Sequence, residues 1–178
     1  MSTNEQTLRD FLIGKQLKDI EFWDTDLKYI SPNIDNLWII DGGIELNIDD
    51  DFFSFAWSES MEMFMAYPLR INEYNKEVSF AAMGAREVAG IENLIWATIT
   101  EVSFVWNFYF KLNDEGEPVW DKKLIPNEIV LYFSNDSFLQ IAAIDYQIQC
   151  NKLEELTYCS EGELLISLNK KINIKDLQ

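Results

Sequence analysis

Along much of this chain apolar and polar residues alternate with the period of two that belongs to half-buried β-strands. Ile44, Leu46 and Ile48 share one parity, while Glu45, Asn47 and Asp49 share the other. A strand here would send its aliphatic side chains to a core and its carboxylates outward. Phe53, Phe55 and Trp57 continue as a further strand. The apolar run Leu37 to Ile40 precedes, and Asp41-Gly42-Gly43 joins it to Ile44–Ile48. Glycine accepts the positive φ of tight turns, so this link predicts a hairpin. Lys15 to Trp23 reads as a strand of its own. Thr98, Thr100, Val102, Phe104, Trp106, Phe108 and Phe110 fall on a single strand face, followed by a turn at Asn113-Asp114-Glu115-Gly116. Glu128–Phe133 and Ser137–Ile148 predict a hairpin around Asn135-Asp136, and Leu156–Cys159 with Glu163–Asn169 another around Glu161-Gly162.

Helical signals are fewer. Asn4 to Ile13 predicts an opening helix, capped by Thr3 or Asn4 and ended by Gly14. Ser58-Glu59-Ser60-Met61-Glu62 places a cap residue before acids, the start of a short helix that Pro68 would end. Residues 69–92 have no clear period. The expectation is an α+β fold in a single domain spanning residues 1–178. It would carry one large, curved, mostly antiparallel sheet, an N-terminal helix and one or two short helices.

Charge changes the picture. The chain has 178 residues, enough for one well-buried core, and its 14% aromatic content argues against disorder. Its net charge is −17, concentrated early: residues 1–60 hold thirteen acids against four bases. From Tyr29 to Leu69 no Lys or Arg occurs, while Asp35, Asp41, Glu45, Asp49, Asp50, Asp51, Glu59 and Glu62 do. Such a one-sign stretch repels itself and attracts cations. Direct nucleic-acid binding and an anionic membrane surface are disfavoured, since both need clustered Lys and Arg. The opening residues lack a basic, apolar leader and no run is long enough to span a bilayer, so a cytoplasmic location is expected. Cys150 and Cys159 are expected as reduced thiols, the alternative being a disulfide closing a short loop.

Candidate chemistry is thin. The chain contains no histidine, which removes the commonest general base and most catalytic zinc sites. Asp41-Gly42-Gly43 lacks both the spacing and the lysine of a phosphate loop. Carboxylate pairs remain, Glu45 with Asp49 or Glu59 with Glu62, as in glycoside hydrolysis. Asp24-Thr25-Asp26 and Asp49-Asp50-Asp51 could offer hard oxygen ligands, yet neither meets the glycine requirement of a calcium loop. No enzyme activity, cofactor or metal is expected. Trp106 and Phe104 read as core, whereas Phe52, Tyr29 and Tyr67 fall on the other parity or beside turns. Aromatics among acids suit a basic partner surface, because they add apolar area and stack on arginine. The expected partner-binding patch is therefore Asp41, Glu45, Asp49, Asp50, Asp51, Glu59 and Glu62, with Trp57, Phe52 or Tyr67 at its centre. A merely solvated acidic face is the plain alternative.

In these respects the chain resembles the small acidic immunity proteins that bacteria make beside polymorphic or contact-dependent toxins. The resemblance rests on an acidic, histidine-free, aromatic-rich α+β chain with the segments Asp41-Gly42-Gly43-Ile44-Glu45 and Ser160-Glu161-Gly162-Glu163-Leu164-Leu165. It implies a non-catalytic inhibitor that occludes the basic active-site cleft of a toxin, often a nuclease. The competing readings are a DNA mimic of phage or mobile-element origin that blocks a DNA-binding enzyme, and a carboxylate hydrolase.

Overall fold

The computed structural model describes residues 5–24, 37–58, 60–75, 81–84, 90–109, 115, 117, 123–149 and 152–176. Helix α1 (Glu5–Leu12) is followed by strands β1 (Leu17–Asp24), β2 (Leu37–Ile40), β3 (Gly43–Ile48), β4 (Asp51–Ser58) and β5 (Met63–Tyr67). A single helical turn, α2 (Ile71–Tyr74), leads to β6 (Ala81–Gly84), a 3-10 turn at Ile91–Asn93, and β7 (Ile99–Tyr109). The long strands β8 (Lys123–Phe133) and β9 (Phe138–Gln149) then precede β10 (Lys152–Tyr158) and β11 (Glu163–Leu168).

These strands form two antiparallel sheets rather than one. The first has the order β5-β4-β3-β1-β6, the second β2-β11-β9-β8-β7 with β10 also paired to β9. One apolar cluster joins them: Ile20, Phe22, Ile44, Leu46, Phe53 and Phe55 of the first sheet meet Ile129, Leu131, Leu139, Ile141, Leu164 and Ile166 of the second. Leu8 and Leu12, one turn apart on α1, close one end of that cluster. Arg9 beside them pairs with Glu5, donates to the Val102 carbonyl and lies 5.2 Å over the Phe104 ring. A smaller cluster of Leu37, Ala142, Ile144, Tyr158 and Leu165 packs on the opposite face of the second sheet, beneath Ile172 and Ile174.

Four local expectations are corrected. The Gly42-Gly43 link makes no hairpin: β2 pairs with β11 in the second sheet, and β3 pairs with β1 and β4 in the first. The glycine serves a close approach instead. A Cβ at Gly43 would stand 2.2 Å from the Ala56 Cβ on the neighbouring strand. The turn at Glu161-Gly162 likewise joins no hairpin, because β10 and β11 flank opposite sides of β9, both meeting it at Ile144. Gly162 crosses over that strand, where a Cβ would sit 1.9 Å from the Ile144 carbonyl oxygen. The expected helix after Ser58 is a tight turn leading into β5, which pairs with β4 from Ser54↔Tyr67 to Ser58↔Met63. Sheet pairing there outweighs the local acid-rich helix signal. On β7 a register shift between Ile99 and Glu101 breaks the single face, so that Ile99 and Val102 are both fully buried.

The Asn135-Asp136 hairpin, the opening helix and the first strand stand where the alternation places them. The Asn113–Gly116 turn lies largely outside the described residues. No helix among the described residues is long and apolar enough to cross a membrane.

Candidate functional site

Sheet register divides the expected acidic patch. Asp41 and Glu62 lie at one end of the first sheet, where the Trp57 N–H donates to the Gly42 carbonyl. Asp49 and Asp50 lie at the other end, in the link from β3 to β4, and Asp51 opens β4. Six residues of extended strand, roughly 20 Å, separate the two groups. Glu59 lies outside the described residues.

Glu45 is the main correction. Its parity is outward as expected, yet it is buried, only 4% exposed. The chain leaving β5 folds back over this face, where the Ser54 hydroxyl donates to the Leu69 carbonyl. The Ile71 N–H, first in α2, donates to Glu45 Oε2 at 2.8 Å, and Arg70 Nε stands 3.7 Å from Oε1. The Arg70 guanidinium also lies 3.7 Å over the Phe52 ring, which occupies that aromatic with an internal cation. Burial raises the Glu45 carboxyl above its ordinary value. The Ile71 hydrogen bond and Arg70 oppose that rise, while Glu21, its cross-strand neighbour, adds to it. Trp57 is half-buried, edge-on to Phe64 at 5.7 Å, and Tyr67 is also half-buried. Neither aromatic stands out from the surface.

The Asp49–Asp51 end is different. Asp49 turns the chain at φ +51°, a conformation aspartate tolerates. Its carboxylate accepts the Gln16 N–H at 3.2 Å, while its own N–H donates to the Gln16 carbonyl at 2.9 Å. Asp50 is fully exposed and pairs with Lys18 at 3.0 Å, and Asp51, more than half exposed, pairs with Lys15. Gln16 also donates to the Trp96 carbonyl at 3.4 Å, which brings Trp96 beside the acidic turn. Trp96 is 62% exposed and held at φ +69°. A bulky residue in that region is a strained outlier. Its backbone is pinned by its own N–H donating to the Leu17 carbonyl and by the Leu17 N–H donating to the Ala97 carbonyl. Exposed Ile13 adds apolar surface after α1.

A second feature lies in the other sheet. Ala142 of β9 pairs with Leu165 on one side and Glu128 of β8 on the other; two residues on, Ile144 pairs with Glu163 and with Tyr158 of β10. Strands β8 and β10 therefore follow one another along the same edge of β9. The β7–β8 ribbon peels away at that point, and the gap is a cleft of about 420 Å³. It is lined by Asn107, Phe108, Tyr109, Ile125 and Asn127 from the ribbon, and by Tyr158 to Glu161 and Asp176 opposite. A bulge marks the fork: Val105 pairs with Glu128 and Trp106 with Pro126, leaving Asn127 as the extra residue. Proline, which has no N–H to contribute to a ladder, is tolerated at such a bulge.

Behind the cleft Glu128 is buried and saturated with donors, accepting from Gln140 Nε2 at 2.8 Å, from the Tyr158 hydroxyl at 2.9 Å and from Lys171. Burial first, and then the adjoining Glu128, push the Tyr158 phenol far above its ordinary value. The network is closed on itself and is a structural one. Asn127 is not so satisfied: it is 4% exposed and its Oδ1 accepts no hydrogen bond. Cys159 is a free thiol at the rim, and Cys150 lies outside the described residues. No group of acids and cysteines able to hold a metal ion occurs among the described residues.

No family model, no curated protein and no solved structure matches this chain. The chemistry of its surfaces is what remains to read. Neither Trp96 nor Asn127 lies on a parity or motif that singles it out. The one signal for Asn127 is Pro126 inside an apolar strand, which marks a bulge and a re-aimed neighbour.

Proposed function

We propose that this chain is a non-catalytic acidic binding protein that covers a cationic surface of a protein partner, in the manner of the toxin-neutralising immunity proteins it resembles. One observation carries the reading: the strained, exposed Trp96 stands beside the acidic turn Asp49-Asp50-Asp51. The two parts have complementary roles. Carboxylates on a chain of net charge −17 draw a basic surface in from a distance and raise the association rate. A large, amphipathic indole whose backbone is already fixed costs little to immobilise, so it contributes to slow dissociation once buried.

The partner is thus a basic protein domain, and a toxin's substrate cleft is the class that fits. The aromatic anchor is Trp96 rather than Trp57, Phe52 or Tyr67, which are half-buried or engaged internally. Asp50 and Asp51, exposed although ion-paired with Lys18 and Lys15, are the steering acids, while Asp49 is bonded into the turn.

The test uses the partner co-purified from the native host or encoded beside this gene. Asp50→Lys with Asp51→Lys should slow association about tenfold at low ionic strength and flatten its salt dependence. Trp96→Ala should leave association nearly unchanged and speed dissociation by about tenfold or more. Indifference of both rates to these changes would sink the reading.

A further inference from the structure

At the far end of β7, roughly 35 Å of strand from Trp96, the forked-sheet cleft presents a chemistry of its own. Among the described residues that line it there is no lysine or arginine. Its acceptors are the carboxylates of Glu161 and Asp176 and the buried Asn127 Oδ1, which has no donor, set among the hydroxyls of Tyr109, Tyr158 and Ser160 and the Asn107 amide. A buried amide oxygen left unpaired is costly, so a donor that reaches it gains more than an ordinary surface bond would. The walls are flat and apolar. Phe108, 61% exposed, lines it together with Ile125 and the ring of Tyr109. The Tyr109 hydroxyl donates to Glu161, which fixes that carboxylate at the edge of the cleft.

We propose that this cleft binds a guanidinium group. The match is chemical and geometric. Carboxylates at the mouth call for a cation, and the orphaned amide oxygen calls for a second N–H donor on the same group. Aromatic and aliphatic walls favour a planar, weakly hydrated ion that stacks. Guanidinium offers five N–H donors in one plane, whereas an ammonium is a compact, strongly hydrated point charge. The group arrives either as a free small guanidine or as an arginine side chain on a polypeptide. The site is separate from the acidic turn and does not depend on the partner proposed above.

The purified chain alone decides the matter, by calorimetric and NMR titration with arginine amide. Saturable binding should shift the Asn127 side-chain amide and the backbone signals of Asn107 and Glu161. Citrulline amide, of the same shape but uncharged, should not bind, and lysine amide should bind at least about tenfold more weakly. The Glu161→Gln and Asp176→Asn pair should weaken arginine amide at least about tenfold. Asn127→Leu, which removes the orphaned acceptor, should abolish the shifts while the thermal midpoint stays the same or rises. Titrations with agmatine and with a capped Gly-Arg-Gly peptide separate the sources. Tighter agmatine binding identifies a free guanidine, and tighter peptide binding an arginine side chain; both uphold guanidinium recognition. Equal affinity for arginine, lysine and citrulline amides would overturn it. So would an arginine amide titration without saturation, or one unaffected by the three substitutions in variants whose melts confirm folding.

Discussion

Glu45 holds a carboxylate beneath the segment that follows β5, where it caps the first N–H of α2. Glu45→Ala leaves that buried N–H unpaired and should cost about 1–3 kcal/mol in chemical denaturation. Glu45→Gln keeps an acceptor and sheds a buried charge, so it should stay within about 1 kcal/mol of the parent. If the two variants were equally unstable, the hydrogen bond would not be what holds the side chain there. Gly43 poses a steric case: Gly43→Ala drives a Cβ into Ala56 and should cost about 3 kcal/mol. Adding Ala56→Gly should recover only part, because the Ala56 Cα would still stand 2.6 Å away. The alternation of Ile44, Leu46 and Ile48 against Glu45 was legible, and it names the right side of the sheet. What lies over that side is set by a fold-back that starts more than twenty residues later, which no local period can report. The strain at Trp96 is equally invisible, since it comes from hydrogen bonds to a strand some eighty residues earlier.

Strands and helices were more legible than their partners. Helix α1, strands β1, β3 and β4, and the β8–β9 hairpin follow from period and turn chemistry, because each buries a face defined by neighbouring residues. The links at Gly42-Gly43 and Glu161-Gly162 have turn composition but connect strands that never pair with each other. Turn residues state that the chain reverses or crosses; they do not state which edge receives it. The segment 169–176 belongs to this scale as well. It lies over the second sheet's outer cluster, and Gln140 clasps it with two bonds. Its Nε2 donates to the Ile172 carbonyl at 2.9 Å, and its Oε1 accepts the Ile172 N–H at 2.8 Å. Gln140→Leu should loosen this segment first. Hydrogen exchange at the Ile172 amide should quicken by about tenfold or more while the Leu164 and Ile166 amides stay protected. Uniform quickening across all three would mean that segment and sheet open as one unit.

At the scale of the molecule, charge and burial act in the same direction. Burial raises the carboxyls of Glu45 and Glu163 above the usual range, and at Glu163 the neighbouring Asp41 and Asp145 add to it against a hydrogen bond from Tyr146. A raised folded-state value means that the native protein binds these protons more tightly than the unfolded chain. Stability therefore rises as pH falls toward the ordinary carboxyl range. Self-repulsion from a net charge of −17 eases over the same interval. The thermal midpoint should increase as pH is lowered from about 7 toward the ordinary carboxyl value of 4.5, and at neutral pH it should also increase with added salt. A midpoint that fell on mild acidification would show that stabilising ion pairs outweigh both effects. The pairing of β2 with β11 has a temporal side. Among the described residues, Leu37 to Ile40 find their strand partners in Leu164 to Ser167, on the far side of nearly the whole fold. Closing so long a loop is slow, and contacts of this kind place folding in the millisecond-to-second range rather than microseconds. During synthesis the apolar edge of β2 must wait several seconds for its mate, at roughly 5–20 residues per second. For that interval the growing chain presents Trp38 and Ile40 to whatever chaperone, or sticky neighbour, reaches them first.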